Sequence, residues 1–304
     1  RRDQGGAPGK GPGAGLVDGA AAPGGPVSEA PSVRPRLRCT YRLQLNPDLD
    51  LRHARELVPY LRELGVSHVY LSPLFQARPG STHGYDVIDP GLVSIDLGGE
   101  EALRDLAAEG LGVILDVVPN HMAAVEENRY WADPQWRRQY FDLDEVSGRH
   151  RRFFDIDELA GVRQEDPEVF ATTHRLPLRL VAEGVVDGLR VDHPDGLADP
   201  AGYLERLRAG GAERVWVEKI LEAGEELRDW PVTGTVGYEF LNDAAALFVD
   251  PAGEARLTAL HAELTGERRP FHEIADEAKL EQATTTFTPE VERLERVEAV
   301  PDLA

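Results

Sequence analysis

The sequence of 304 residues contains one cysteine, one methionine and no long apolar run. Cys39 has no second cysteine with which to form an intramolecular disulfide or a cysteine-rich metal site, which predicts a reducing compartment and a cytoplasmic location. No segment approaches the roughly eighteen apolar residues that a membrane-spanning helix needs, and the amino terminus lacks the apolar core of a secretory signal, so we expect a soluble protein. Because the chain begins with Arg1 and its methionine, Met122, lies far inside, we also expect a processed chain or an excerpt of a longer one.

Basic residues are scarce relative to acidic ones. The chain has 33 lysines and arginines against 54 aspartates and glutamates, which gives a formal net charge of -21. Nucleic acid and anionic membrane surfaces are therefore excluded as expected partners, because a polyanion would be repelled over most of the surface. With 41% apolar residues, the chain is long enough for one large α/β domain or two smaller ones.

The composition changes twice along the chain and predicts three regions. Residues 1–36 are rich in Gly, Pro and Ala without apolar periodicity, which predicts a disordered tail. Residues 37–241 alternate short β-like runs with amphipathic stretches, the pattern typical of βα units around a parallel sheet. Residues 242–304 are predicted to be mainly helical, and the acidic stretch from 254 to 295 is predicted to be a solvated surface.

Five βα steps in succession predict an α/β fold of the TIM barrel type. Helices are predicted at residues 50–64, ended by Gly65, and at residues 99–109, and the segment after the second strand is predicted to be a loop. Strands six to eight cannot be assigned after Lys219, so the barrel is predicted to be incomplete at its C-terminal strands. The five predicted strands cover residues 37–45, 66–71, 113–118, 185–191 and 214–217.

Carboxylates lie at the ends of three of these strands. Asp116, Asp192 and Glu218 should therefore point towards one mouth of the barrel, where the loops converge. Two carboxylates at neighbouring strand ends suit acetal chemistry, which needs a nucleophile and a proton donor. Arg190, two residues before Asp192 on the same strand face, should keep Asp192 ionised. The apolar residues before Glu218 favour a protonated carboxyl that can donate.

Three strand-end segments resemble the first three signature regions of the alpha-amylase superfamily of glycoside hydrolases. They are Asp116-Val117-Val118-Pro119-Asn120-His121, Arg190-Val191-Asp192-His193 and Val217-Glu218-Lys219. Four segments are similar, more narrowly, to the maltooligosyltrehalose synthase family, and this resemblance runs from about Leu37 to the end. They are Thr40-Tyr41-Arg42-Leu43-Gln44-Leu45, His83-Gly84-Tyr85-Asp86-Val87-Ile88-Asp89, Arg152-Phe153-Phe154-Asp155 and Val217-Glu218-Lys219-Ile220-Leu221.

The resemblance implies an intramolecular transglycosylation that turns the reducing-end α-1,4 linkage of a maltodextrin into an α,α-1,1 linkage. It implies that Asp192 is the nucleophile, Glu218 the acid/base and Arg190 the residue that orients the nucleophile. It implies no dissociable cofactor and requires no metal, and none of the histidines has the spacing of a zinc-binding HExxH motif. A maltooligosyltrehalose trehalohydrolase is the expected functional partner. The residues expected to bind or brace the substrate are His83, Tyr85, Asp86, Asp116, Asn120, His121, His193 and Lys219.

The sequence also departs from the family pattern. No segment after Phe240 matches the third catalytic carboxylate, which the superfamily places at the end of strand seven, and the stretch between His121 and Arg151 is short. These gaps predict an internally shortened, carboxyl-truncated relative. An α-glucan hydrolase and a catalytically inactive fragment that binds glucan therefore stay open as alternatives. Phe153 and Phe154 are predicted to belong to the core.

Overall fold

The computed structural model describes residues 35–222 and 224–297. The disordered tail predicted from the sequence lies almost entirely outside these residues. Within them the chain forms eleven β-strands of two to seven residues. They are β1 (Thr40–Leu43), β2 (His68–Leu71), β3 (Phe75–Ala77), β4 (Val87–Val93), β5 (Gly112–Val117), β6 (His121–Ala123), β7 (Arg152–Phe153), β8 (Ile156–Gly161), β9 (Gly188–Val191), β10 (Val215–Val217) and β11 (Gly234–Thr235).

Six of these strands form one parallel sheet in the order β1-β2-β5-β9-β10-β11. Spatial neighbours are also successive strands of the βα series, which is the connectivity of a TIM barrel. The predicted barrel is therefore confirmed as an incomplete one, and all five strands assigned from sequence are present within their predicted ranges or at most one residue beyond them. The sixth, β11, escaped assignment because a strand of two residues shows no periodicity.

Eleven α-helices accompany the strands in the described part of the chain. α3 is the helix predicted at residues 99–109, and α6 and α7 are the crossovers before β9 and β10. The helices are α1 (Leu51–Glu56), α2 (Val58–Glu63), α3 (Gly99–Ala108), α4 (Arg129–Ala132), α5 (Pro134–Tyr140), α6 (Pro167–Ala182), α7 (Pro200–Ala209), α8 (Tyr238–Ala246), α9 (Glu254–Thr265), α10 (Phe271–Thr284) and α11 (Thr288–Val297).

The single helix predicted at residues 50–64 is wrong, because the structure divides it into α1 and α2. Pro59, in the first turn of α2, has no N–H with which to continue the hydrogen-bond ladder of α1, and Leu57 caps both helices. Asp50 caps the start of α1, where its carboxylate accepts the backbone N–H groups of Arg52 and His53 at 2.9 Å each. Gly65 ends the pair with a φ of 87°.

The loop predicted after β2 is also wrong, since it contains the antiparallel pair β3 and β4. Pro90 and Gly91 lie within β4 and conceal the strand pattern in the sequence. A second small antiparallel sheet, in the order β6-β8-β7, follows β5. Both additions lie in the connections that leave the carboxyl ends of the barrel strands, so they build up the surroundings of the mouth.

The core lies between the parallel sheet and its crossover helices. β5 is buried along its whole length, as a strand covered on both faces must be. Register partners on neighbouring strands, Leu71, Leu115, Leu189 and Val215, are each at most 1% exposed. By contrast, α8, α9 and α10 together bury only Ala262. No helix among residues 35–222 and 224–297 has both the length and the apolar character to cross a membrane.

Candidate active site

Asp192 and Glu218 lie side by side just beyond the carboxyl ends of β9 and β10. The parallel ladder continues one residue past each strand, because Asp192 N–H donates to the Val117 carbonyl and Glu218 N–H to the Val191 carbonyl, both at 2.9 Å. Asp116 lies one step further in, on β5, where its register partner is Arg190 on β9. The three predicted carboxylates therefore meet at one edge of the sheet.

Arg190 holds this carboxylate cluster together. Its Nη1 lies 2.7 Å from Asp116 Oδ1 and 2.7 Å from Asp192 Oδ1, and its Nη2 lies 2.8 Å from Glu218 Oε1. Asp116 is fully buried, and the side chains of Arg190 and Asp192 are only 8% and 7% exposed. Sequence reasoning assigned Arg190 to Asp192 alone, whereas the structure shows one guanidinium shared by three carboxylates.

The pKa of Asp192 is raised, although the sequence predicts that Arg190 keeps it low. Burial raises the pKa of Asp192 to about 7, and the neighbouring charges of Asp116 and Glu218 add to the rise, while Arg190 opposes it. Burial likewise raises the pKa of Asp116, again against the effect of Arg190. One positive charge cannot compensate three ionised carboxylates in a buried site, so the cluster favours keeping a proton. The sequence predicts that Arg190 keeps Asp192 ionised, whereas burial raises the pKa of this carboxyl, so it is only partly ionised near neutral pH.

Two tyrosines and an arginine support Asp116 from the β1 side of the barrel. The hydroxyls of Tyr70 and Tyr85 both donate to Asp116 Oδ2, at 2.9 and 2.8 Å, and Arg42 Nη2 donates to the Tyr85 hydroxyl at 3.3 Å. Burial and the charge of Asp116 hold the pKa of Tyr85 above its usual range, so its proton stays on the hydroxyl. Tyr85 was predicted as a site residue. Tyr70 and Arg42 were missed, although each lies at the second-last position of its strand, where the strand-end rule could have found them.

His83 and Asp86 lie in the same loop as Tyr85 but face a different group. Asp86 is buried, accepts a hydrogen bond from the Ser81 hydroxyl and pairs with Arg78 Nε at 2.7 Å. His83 Nε2 lies 3.9 Å from Asp86 Oδ2. The open cavity beside these residues has a volume of about 400 Å³. The structure thus places Tyr85 on the carboxylate cluster, whereas Asp86 and His83 line a cavity whose lining includes none of the three carboxylates.

His121 and His193 border the carboxylates on the side of the small β6-β8-β7 sheet. His121 is fully buried, and burial, assisted by the nearby His193, lowers its pKa to about 3, so the imidazole is neutral. The backbone N–H of His193 donates to Glu218 Oε2 at 3.2 Å. His193 has a φ of 41°, a left-handed conformation that turns the chain directly after Asp192.

Asn120 and Lys219 make contacts away from the three carboxylates. Asn120 Oδ1 accepts Arg151 Nη1 at 2.8 Å, so Asn120 braces the loop beside the site. Lys219 Nζ lies 3.1 Å from Asp195 Oδ2 and 3.0 Å from Glu225 Oε1. Lys219 is therefore engaged in a local ion-pair group of the loops after β9 and β10.

Phe153 and Phe154 are not core residues, so that prediction is wrong. Phe153 is only half-buried, and the centroid of its ring lies 4.0 Å from the ring centroid of His121. Phe154 is 54% exposed, and its ring centroid lies 5.3 Å from that of His193. β7 has only two residues and lies at the edge of the small sheet, so it leaves both rings accessible. Both phenylalanines instead flank the two histidines. In the part of the chain that the structure describes, no three His, Cys, Asp or Glu side chains are arranged to hold a metal ion.

Comparisons with known proteins agree with this geometry. Residues 48–201 match the family model for the alpha-amylase catalytic domain. A Mycobacterium tuberculosis protein assigned as a maltooligosyl trehalose synthase is 35% identical, over 84% of this chain and 44% of its own length. A 4-alpha-glucanotransferase of Thermotoga maritima is 29% identical over 56% of this chain and 45% of its own. The solved maltooligosyltrehalose synthase of Arthrobacter ramosus has a TM-score of 0.81 and 36% identity, over 84% of this chain and 44% of that one.

The chain spans less than half the length of the maltooligosyltrehalose synthases that it matches. The alignment with the mycobacterial protein runs over 339 residues, more than the 304 of this chain, so that relative carries internal segments that this chain lacks. The expected internal shortening is thereby confirmed. The family model covers residues 48–201, which include Asp116, Arg190 and Asp192 of the carboxylate cluster. The chain therefore belongs to the alpha-amylase family.

Proposed function

We propose that this chain carries the carboxylate pair of a glucosylmutase that converts the reducing-end α-1,4 linkage of maltodextrins into an α,α-1,1 linkage. The observation that carries the proposal is that Asp192 and Glu218, on adjacent strand ends, bind the same Arg190 guanidinium at 2.7 and 2.8 Å. Support comes from the maltooligosyltrehalose synthases among the relatives, which match 84% of this chain.

The proposed reaction proceeds in two displacements at one anomeric carbon. Glu218 donates a proton to the glycosidic oxygen while the Asp192 carboxylate attacks C1, so that the α-1,4 bond breaks and a covalent glycosyl-enzyme forms. The released reducing-end glucose then turns, Glu218 takes the proton from its anomeric hydroxyl, and that oxygen attacks C1 and displaces Asp192. Two inversions retain the α configuration and return both carboxyl groups to their starting states.

The surrounding residues have supporting roles in this proposal. Arg190 orients Asp192 and favours its ionised form against the effect of burial, so the nucleophile is available once the proton of the cluster leaves it. Asp116 holds Arg190 in place, and the hydroxyls of Tyr70 and Tyr85 in turn hold Asp116. We further propose that His83, Asp86, His121, His193, Asn120 and Lys219 line or brace the sugar-binding region, as the family resemblance implies.

A single incubation tests the proposed function. The purified chain is mixed with maltohexaose, and reducing-end concentration and free glucose are followed together over time. A fall in reducing ends without glucose release supports the mutase. A rise in reducing ends would instead identify an α-glucan hydrolase, because water and a sugar hydroxyl compete for the same glycosyl-enzyme.

A second candidate function is glucan binding without turnover. The observation that favours it is that the parallel sheet of residues 35–222 and 224–297 ends at β11, so no seventh strand is present there to supply the third carboxylate of the superfamily. A folded sample that binds maltohexaose but leaves its reducing ends unchanged would support this candidate.

A cytoplasmic location and a trehalohydrolase partner belong to the same proposal. The single cysteine supports the cytoplasmic location, because a chain with one cysteine forms no intramolecular disulfide, and proteins without disulfides are typical of reducing compartments. The partner follows from the product, since a maltooligosyltrehalose must be hydrolysed to release trehalose. Addition of such a hydrolase to the maltohexaose incubation should release trehalose if the mutase reaction has occurred.

A further inference from the structure

Three arginine–carboxylate pairs fasten α11, the last helix in the described residues, to the segment that precedes β8. The partners are separated by 138 to 152 residues in sequence, so the contacts are tertiary rather than local. The pairs are Glu290 with Arg152, Arg293 with Asp142 at 2.5 Å, and Arg296 with Asp144.

The spacing of the three helix residues explains how one helix makes all these contacts. Positions 290, 293 and 296 are three residues apart, and residues at this spacing lie on neighbouring turns of one helix face. The sequence prediction of a solvated acidic surface is therefore wrong for Glu290. Charged residues on a polar helix give the same sequence pattern whether their side chains face water or an arginine on another segment.

Glu290 makes the most enclosed of the three pairs. Arg152 Nε donates to Glu290 Oε1 at 2.8 Å and Arg152 Nη2 to Oε2 at 2.9 Å, a two-pronged geometry, and Nη2 also donates to the Thr286 carbonyl at 3.1 Å. The side chains of Arg152 and Glu290 are 15% and 29% exposed. A two-pronged pair that is partly shielded from water is stronger than an ordinary surface ion pair.

Arg152 is the residue before Phe153 in β7, a strand of only two residues. β7 pairs with β8 alone, and the register between Arg152 and Phe153 is irregular, so the sheet gives this strand little support. The ring of Phe153 nevertheless packs against two histidine rings, with centroid separations of 4.0 Å to His121 and 5.2 Å to His193. His193 in turn donates its backbone N–H to Glu218.

We propose that Glu290 is a positioning residue for the carboxylate site, acting through Arg152 to fix Phe153 against His121 and His193. The catalytic consequence rests on the proposed function, whereas the structural effect on residues 151–156 does not. The geometry makes α11 part of the support of the site, although the helix lies far from it in sequence. Loss of the Glu290 charge should loosen β7 while the barrel stays folded.

The test compares Glu290→Gln with Glu292→Gln, a control in which the same change is made at an exposed residue of the same helix. Hydrogen exchange is measured by mass spectrometry on peptides that cover residues 151–156, with a peptide of β5 as internal reference. Glu290→Gln should raise exchange in residues 151–156 about tenfold and leave β5 unchanged, because only the local opening becomes easier. Exchange in Glu292→Gln should match the wild type.

Kinetics with maltohexaose separate positioning from general stability. Glu290→Gln should raise KM about tenfold with a smaller change in kcat, because Phe153 flanks the sugar site but does not react. Glu290→Asp keeps the charge, so its KM should lie close to that of the wild type. Equal exchange in Glu290→Gln and Glu292→Gln would overturn the inference even if the enzyme is active. A wild type that leaves maltohexaose unchanged would count against the proposed function alone, since exchange still decides the role of Glu290.

Discussion

Arg190 donates through Nη1 to Asp192 Oδ1 at 2.7 Å, and yet the pKa of Asp192 is raised to about 7. A nearby guanidinium normally lowers the pKa of a carboxyl group. Here burial exceeds that effect, because Arg190 also serves Asp116 and Glu218 and leaves negative charge uncompensated. The relationship suggests a site that holds a proton near neutral pH and must release it from Asp192 before a nucleophilic attack.

The raised pKa of Asp192 predicts a particular dependence of stability on pH. The folded chain keeps a proton that the unfolded chain loses near pH 4, so this group contributes stability below about pH 4 that is lost as pH rises to about 7. The free energy of unfolding of the wild type, relative to Asp192→Asn, should therefore fall by up to about 4 kcal/mol between pH 4 and pH 7. Urea unfolding of both proteins across this range measures the difference.

Asp243→Asn is the control for this experiment, because Asp243 is exposed on α8. The difference in free energy of unfolding between Asp243→Asn and the wild type should stay constant with pH. A flat difference for Asp192→Asn as well would show that the site holds Asp192 ionised, as the sequence alone predicted.

Replacement of Arg190 should lower the free energy of unfolding far more than replacement of a surface arginine that binds two carboxylates. Arg190→Met leaves three carboxylates at the strand ends without their cation, and removal of one partner from a buried ion pair typically costs about 3–5 kcal/mol. Arg179→Met is the matched control, since Arg179 binds both Glu100 and Glu183 but is 41% exposed. Its cost should be about 1 kcal/mol or less.

Urea unfolding at neutral pH compares the two arginine variants. A similar decrease in the free energy of unfolding for both variants would mean that the carboxylate cluster relaxes by taking up protons or water when Arg190 is removed. That outcome would weaken the description of Arg190 as the centre of the site.

The site could be predicted from sequence where chemistry and strand ends coincide. Asp192 and Glu218 follow strands that their apolar residues mark clearly, Asp116 is the second-last residue of such a strand, and parallel strands bring their carboxyl ends to one edge. The sharing of Arg190 could not be predicted, because it depends on the register between β5, β9 and β10. Register is a property of the assembled sheet and has no local signal in the sequence.

The errors in the fold have similar physical causes. The sequence predicts a loop in place of the hairpin of β3 and β4, because Pro90 and Gly91 interrupt the strand pattern. Phe153 was assigned to the core because aromatic residues are usually buried, but the short β7 leaves it beside His121 instead. The role of Glu290 was missed because its partner, Arg152, lies 138 residues away.

Conservative changes at the two proposed catalytic carboxylates should abolish turnover without unfolding the protein. Asp192→Asn and Glu218→Gln keep the shape of the side chain but remove the nucleophilic oxygen or the transferable proton, so each should lower kcat on maltohexaose by about three orders of magnitude or more. Glu222→Gln is the control, because Glu222 is exposed in the loop after β10. Activity in Asp192→Asn equal to that of the wild type would refute the assignment of the nucleophile.

Gly84 and Gly80 offer a matched test of how the loop before Tyr85 is built. Both glycines have a φ of 80°, so an alanine at either position carries the same backbone strain. A Cβ at Gly84 would lie 2.3 Å from the Pro73 carbonyl oxygen, whereas a Cβ at Gly80 would meet nothing within 4 Å. Gly84→Ala should therefore lower the free energy of unfolding by about 1–3 kcal/mol more than Gly80→Ala, because the backbone must move to relieve the overlap.

The same movement should be visible in the function of the site. Tyr85 is the neighbour of Gly84 and donates to Asp116 at 2.8 Å, so displacement of the loop should break that hydrogen bond. Gly84→Ala should then raise the KM for maltohexaose well above that of Gly80→Ala, and Tyr85→Phe should reproduce part of the rise, because it removes the same hydrogen bond without moving the loop. If Gly84→Ala and Gly80→Ala have equal stability and equal KM, the close approach of Gly84 to Pro73 does not determine the position of Tyr85.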